Sequence, residues 1–346
     1  MRAKRQWGMW MLAGLVSLSL CGCEKEKPAE TSPATANANG KGAAAQTPTG
    51  DVKYKIAVIP KGTENSYWKM LDAGAEAAGK EENVEIIWQG PNKENSFEDQ
   101  INVVQTQITS GVNGIVLAAT NSESLAAPVK NATDKGIPVV MVDSGLIKEK
   151  DTSVCYISTD NVEGGRKAAD ALASAMGDKG NVAILSFVKG SQSADDRENG
   201  FIEQIKKHPG IKVVDPIYYD NSSPTEALNQ AGNIMTAHPD VTGIFATNEP
   251  GGIGVGNYLK QRKMVGKIKM VAFDSSEEEV KFLEEGTAQA LIVQDPYMMG
   301  YQGVKTVLKA IKKQTIDKKF IDSGVKVITK ENMKTPEMQK LLKPGA

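Results

Sequence analysis

The polar side chains with chemistry to offer stand at the ends of apolar runs. Ile137-Pro-Val-Val-Met-Val leads into Asp143, followed by Ser144 and Gly145. Tyr54-Lys-Ile-Ala-Val-Ile-Pro60 leads to Asn65, Tyr67 and Trp68. Gly243-Ile-Phe-Ala-Thr leads to Asn248, Ile268-Lys-Met-Val-Ala-Phe to Asp274, and Ala290-Leu-Ile-Val to Gln294. Amides, carboxylates and aromatic rings are groups that bind. No run delivers a nucleophile beside a base, so no catalytic residue is assigned. The two histidines, His208 and His238, each precede a proline, as at helix ends where a cation suits the dipole. Neither reads as catalytic or as a metal ligand, and the sequence calls for no cofactor.

These residues need strands to place them. An unbroken apolar run reads as a strand buried on both faces of a parallel sheet. The pattern predicts strands at 54–59, 84–88, 114–118, 137–142 and 153–157. A second series follows at 181–186, 211–218, 242–246, 268–273, 289–293 and 325–329. Helices alternate with them at 66–79, 97–110, from Ser122 to near Gly136, 162–176, 194–207, 224–237, 252–262, 276–285 and 296–312. Alternating βα units imply parallel sheets with helices on both faces. About a dozen strands exceed what one open sheet usually carries, so two similar halves are expected, with a switch near 159. The chain would cross again near Gln294 and near 324. Ligands of such sheets bind outside the carboxyl ends of the strands, which here would face one another across a cleft.

With 24% charged residues and a net charge of −1, the chain has no electrostatic footprint for nucleic acid or an anionic membrane surface. Residues 1–23 read as a targeting segment: Arg2, Lys4 and Arg5 precede an apolar core from Trp7 to Leu20. The ending Leu20-Cys-Gly-Cys23 resembles the bacterial lipobox, which implies cleavage before Cys23 and lipid attachment to its thiol. Residues 24–51, rich in Ala, Thr, Pro, Gly and charge, read as a disordered tether. The remaining cysteine, Cys155, lies in a strand-like run and reads as a small buried hydrophobe.

Residues 52–330 resemble the periplasmic sugar-binding proteins of the ribose-binding type. The resemblance rests on Asn65 with Tyr67 and Trp68, Gly136-Ile-Pro-Val-Val ending in an Asp, and Thr159-Asp-Asn-Val-Glu-Gly-Gly165. It rests also on Asp196-Arg-Glu-Asn-Gly-Phe201, Thr236-Ala-His-Pro-Asp-Val241, Phe273-Asp274, and Gln294 before a long helix. It implies the type I fold: two doubly wound parallel-sheet lobes joined by a three-strand hinge. The lobes would be 52–159 plus 295–323 and 160–294 plus 324–330, with 331–346 a tail.

By the same resemblance, Tyr67 or Trp68 supplies a ring for the apolar face of a sugar, from a loop after the first strand. Asp143 accepts from hydroxyls, Arg197 offers a planar fork, and Asn65, Asn248, Asp274 and Gln294 hold further hydroxyls. Ser144 stands where ribose-type binders often carry Arg, so the sugar is not named. Thr159 falls at the first crossover, Glu249 is a weaker candidate, and the second stacking aromatic has no clear match. A loop at 89–95 is expected to contribute an amide.

The function implied is the extracytoplasmic receptor of an ABC importer for a neutral monosaccharide or polyol. It would be a lipid-anchored monomer in the periplasm or cell envelope that docks on a membrane permease. The alternatives are a sensor subunit for chemotaxis or signalling, and a glycosidase using Asp143 and Asp274. The glycines from Gly251 to Gly256 match no phosphate-binding spacing and read as close helix packing.

Overall fold

The computed structural model describes residues 54–219 and 222–342. The expected leader with Cys23, the tether and the last four residues of the expected tail lie outside them. The first series is β1 (Lys55–Ile59), α1 (Ser66–Glu82), β2 (Glu85–Trp88), α2 (Phe97–Thr109), β3 (Gly114–Leu117), α3 (Ala126–Asp134), β4 (Val139–Val142) and β5 (Cys155–Ser158). The second begins with α4 (Asn161–Met176), β6 (Gly180–Phe187), α5 (Gln192–Ile205), β7 (Ile211–Val213), β8 (Ile217–Tyr219) and α6 (Pro224–Ala237). It continues with β9 (Val241–Ala246), α7 (Glu249–Gln261), β10 (Lys269–Phe273), α8 (Glu277–Glu285) and β11 (Ala290–Val293). The chain ends on α9 (Pro296–Ile311), β12 (Phe320–Asp322), β13 (Lys326–Ile328) and α10 (Pro336–Leu342).

Two sheets result. The first runs β12-β5-β4-β3-β1-β2 with every pair parallel. The second runs β13-β11-β10-β9-β6-β7, with β8 also on β6, and is parallel except for β13, which is antiparallel to β11.

Each strand feeds two cores, which is why its apolar run shows no alternation. In β1, Ile56 and Val58 pack with Leu71 of α1 and Val304 of α9, while Ala57 and Ile59 pack with Val104 of α2 and Val129 of α3. In β6, Leu185 faces Ala227 of α6 and Val255 of α7, while Ile184 faces Leu172 of α4 and Phe201 of α5. The glycines of α7 serve close packing as expected. A Cβ on Gly254 would lie 2.5 Å from the Cβ of Ala227, and one on Gly256 2.2 Å from the Phe282 ring.

The chain passes between the sheets three times, from β5 to α4, from β11 to α9 and from β12 to β13. The passages are tied together: Thr159 Oγ1 is 3.3 Å from Ser323 Oγ, and the Asp160 N–H donates to Asp322 Oδ1 at 3.2 Å.

Several local features differ from the expected pattern. The strand expected at 211–218 is broken into β7 and β8 around Pro216, which has no N–H to give a ladder. Strand β12, not expected, is a short exposed edge beside β5. The expected tail carries α10, whose Met338 and Leu342 join Met333 on the core of the second sheet.

Candidate functional site

The strand ends of both sheets open onto one cavity. From the first sheet come Lys61, Asn65, Tyr67 and Trp68 after β1, Glu94 after β2, and Asp143 after β4. From the second come Phe187 at the end of β6, Ser191, Ser193 and Arg197 beyond it, Asn248 and Glu249 after β9, Asp274 after β10, and Gln294 after β11. The cavity they enclose is small, about 30 Å³ in volume.

Asp143 and Asp274 each leave a strand with positive φ, 59° and 80°. Aspartate tolerates this left-handed turn better than most residues, and the turn keeps the carboxylate at the sheet end. Asp143 is met by Lys61 Nζ at 2.9 Å, the Tyr67 hydroxyl at 2.7 Å and Ser144 Oγ at 3.0 Å. Burial pushes its carboxyl up, but Lys61 and then Arg197 outweigh that and hold it below the usual carboxylate range. Asp274 accepts from the Glu249 N–H at 2.9 Å and from Gln294 Nε2 at 2.7 Å. Burial raises it, and Arg197 only partly opposes the shift.

Arg197 is buried, with Nε on Asn161 Oδ1 at 2.8 Å and Nη1 on the Thr247 carbonyl at 2.7 Å. Its guanidinium lies 3.9 Å from the centre of the Phe273 ring. It is not a surface partner of its acidic neighbours. Its helix is seated by glycines: a Cβ on Gly165 of α4 would fall 2.1 Å from the Arg197 carbonyl oxygen, and one on Gly200 of α5 2.0 Å from that of Val162. Only at these positions can α4 and α5 approach so closely.

Tyr67 and Trp68 correct one expectation. They sit in the first turn of α1, not on a loop, and are 6% and 2% exposed within the core as well as along the cavity. Their rings meet edge to face at 4.9 Å, and Trp68 Nε1 donates to Glu94 Oε1 at 3.0 Å. Asn65 donates to the same Glu94 oxygen at 2.7 Å. Asn248 caps α7, its Oδ1 accepting from the Gly251 N–H and from the Tyr219 hydroxyl, which leaves its amide nitrogen as a donor. Ser144 and Thr159 are buried but do not line the cavity. Ser144 Oγ bonds Ser193 Oγ at 3.2 Å, and Thr159 sits among the crossing segments.

Lys61, Glu94, Phe187, Ser191 and Ser193 line the cavity without having been singled out from sequence. Two acceptors there, Ser191 Oγ and Gln294 Oε1, are buried without a partner. Bonds also span the sheets. Lys61 Nζ reaches Ser193 Oγ at 3.1 Å, the Gly145 N–H reaches Gln192 Oε1 at 2.9 Å, and Glu249 accepts from Ser66 and Tyr67. Among the described residues no group of His, Cys, Asp and Glu is arranged to hold a metal ion.

The profile described as "Periplasmic binding protein domain" matches residues 56–315. The chain is 30% identical over 265 residues to the D-allose-binding periplasmic protein of Escherichia coli, covering 74% of this chain and 84% of that one. A solute-binding protein from Agrobacterium vitis, solved with bound D-fucose, superposes with a TM-score of 0.81 at 37% identity, over 84% of this chain and all of the other. A carbohydrate transporter solute-binding protein from Agrobacterium radiobacter, solved with D-arabinose, gives 0.81 at 34% identity, over 85% of this chain and all of the other.

Proposed function

The chain belongs to the periplasmic binding protein family, and from that premise we propose that it is the extracytoplasmic sugar-binding component of an ABC importer. It takes a neutral monosaccharide or related polyol and is not an enzyme. The observation that carries this is the cavity lined from both sheets, with Trp68 and Phe187 on opposite sides of the chain's division and Arg197, Asp143 and Asp274 among them.

The sugar's C–H faces pack on Trp68 and Phe187, while its hydroxyls meet Asn65, Asp143, Arg197, Asn248, Asp274 and Gln294. Arg197 spends Nε and Nη1 on the protein and keeps Nη2 for the ligand. Tyr67 holds Asp143 in place through its hydroxyl. Ser144 and Thr159 act through their neighbours, Ser144 on Asp143 and Thr159 on the hinge. The moving bodies are 52–159 plus 295–323 and 160–294 plus 324–330. A ligand that touches both favours the closed state by its differential affinity. The loaded monomer docks on the permease, held at the membrane by lipid on Cys23.

A thermal-shift panel of D-allose, D-arabinose, D-fucose and xylitol tests this reading. One sugar should stabilise the protein by about 2.7 kcal/mol at a hundredfold excess over its Kd. Ser191→Ala is the cleanest test of the site. It removes a buried hydroxyl that has no protein partner, so stability should hold or rise while affinity for that sugar falls by about 1 kcal/mol in calorimetry. Unchanged affinity removes Ser191 from the site, and a panel without a hit defeats the sugar reading.

A further inference from the structure

Helix α1 begins without the usual means of satisfying its first amides. Its N-cap Asn65 makes no side-chain cap bond, and its first turn holds no acid. The free N–H groups are met instead from the other sheet. Glu249, first residue of α7, accepts from the Ser66 N–H at 3.1 Å and Ser66 Oγ at 2.7 Å, and from the Tyr67 N–H at 3.0 Å. A carboxylate at a helix N-terminus is favoured by both the hydrogen bonds and the dipole. Beside it, Asn65 Nδ2 reaches Ser222 Oγ, in the segment before α6, at 3.3 Å.

These bonds form a wall. Asn65 and Glu249 line the cavity on one side and, on the other, a surface groove also bounded by Ser66, Lys69, Ser222 and Lys281. Ser66 borders the groove but not the cavity. Glu249 is in turn fixed to the ligand site, since its own N–H donates to Asp274 at 2.9 Å.

We propose that Glu249 is a closure latch: by capping α1 across the cleft it holds the cavity shut toward the groove and sets how fast the sugar leaves. The inference rests on the hinge-closure reading above. The latch forms only when the two bodies meet, so it acts on release and not on encounter. It is a positioning residue, and its helix-capping bonds lie outside the ligand's own contacts.

Release is timed by stopped flow with D-allose, D-arabinose and D-fucose as probes, and amide exchange at Ser66 and Tyr67 is followed in the same samples. Glu249→Gln, which keeps only one acceptor oxygen, should speed release by about tenfold to a hundredfold, with association changed by less than about threefold, and should strip sugar-dependent protection from at least one of the two amides. Ser66→Ala should act in the same direction by about fivefold. Because Ser66 does not line the cavity, that effect cannot be a lost sugar contact. The two substitutions share a bond, so their effects should not add. Unchanged release with protection intact overturns the latch even where sugar binds normally. If none of the three sugars binds, the sugar reading fails, and the latch, which needs closure on a sugar, falls with it.

Discussion

Asp143 and Asp274 occupy matching places in the two sheets, yet their environments push them in opposite directions. Both end a strand that feeds two cores, both take positive φ, and both are buried. Asp143 has a buried lysine at 2.9 Å, and Asp274 has an amide side chain and a backbone N–H. The first rim thus carries its own counter-charge, whereas the second depends on Arg197, whose field both acids share. Strand grammar delivers an acid to the cleft, but the neighbours supplied by other segments decide its charge.

Removing the first rim's counter-charge should have the largest effect. Lys61→Met leaves Asp143 buried without its cation, which should cost about 3 kcal/mol of folding stability by denaturant titration. Adding Asp143→Asn should restore most of that loss, because a neutral pair has no uncompensated charge. If the double variant is as unstable as the single one, the contrast between the rims lies in packing and not in charge.

That contrast explains which parts of the site could be read in the sequence. Asp143, Asn248, Asp274 and Gln294 were legible because each is the polar group that ends an apolar run. The same rule applied to β1 selects Lys61, directly after Pro60. Phe187 was hidden because an apolar residue at a strand end only lengthens the run. Glu94 stands in the 89–95 loop among other polar residues, and no apolar run ends on it. Tyr67 and Trp68 are assigned to a loop although a helix is expected from 66; what no local signal announces is the cap of that first turn, which comes from Glu249 in the other half of the sequence. The two-sheet fold survived such errors because it rests on many long apolar runs. Strand β12 and helix α10 did not announce themselves, being short, with charged residues such as Lys318, Lys319, Glu337 and Lys340 around a few apolar ones.

A smaller effect is expected from moving the shared cation. Gly165→Ala places a methyl against the Arg197 carbonyl and must separate α4 from α5. The cost should be about 2 kcal/mol of stability. The second rim should suffer more than the first, since Asp274 has no lysine to fall back on. An added Asp274→Asn should therefore recover more of the loss than an added Asp143→Asn. Equal recovery would mean that Arg197 does not distinguish the rims.

The smallest effect is the sharpest, because it concerns sign. The folded protein holds Asp143 below the usual carboxylate range, so its contribution to stability is present above the unfolded value, near 3.8, and is lost as pH falls through the folded one. Asp274 is raised, so the fold favours its protonated form. Its contribution is fully present below the unfolded value, also near 3.8, and declines as pH rises through the folded one. The stability difference between parent and Asp143→Asn should therefore grow with pH on leaving the acid range, while that between parent and Asp274→Asn shrinks. Denaturant titrations of the three proteins from below pH 3.8 upward should resolve opposite slopes. Parallel slopes would show that the lysine at 2.9 Å does not set the two acids apart.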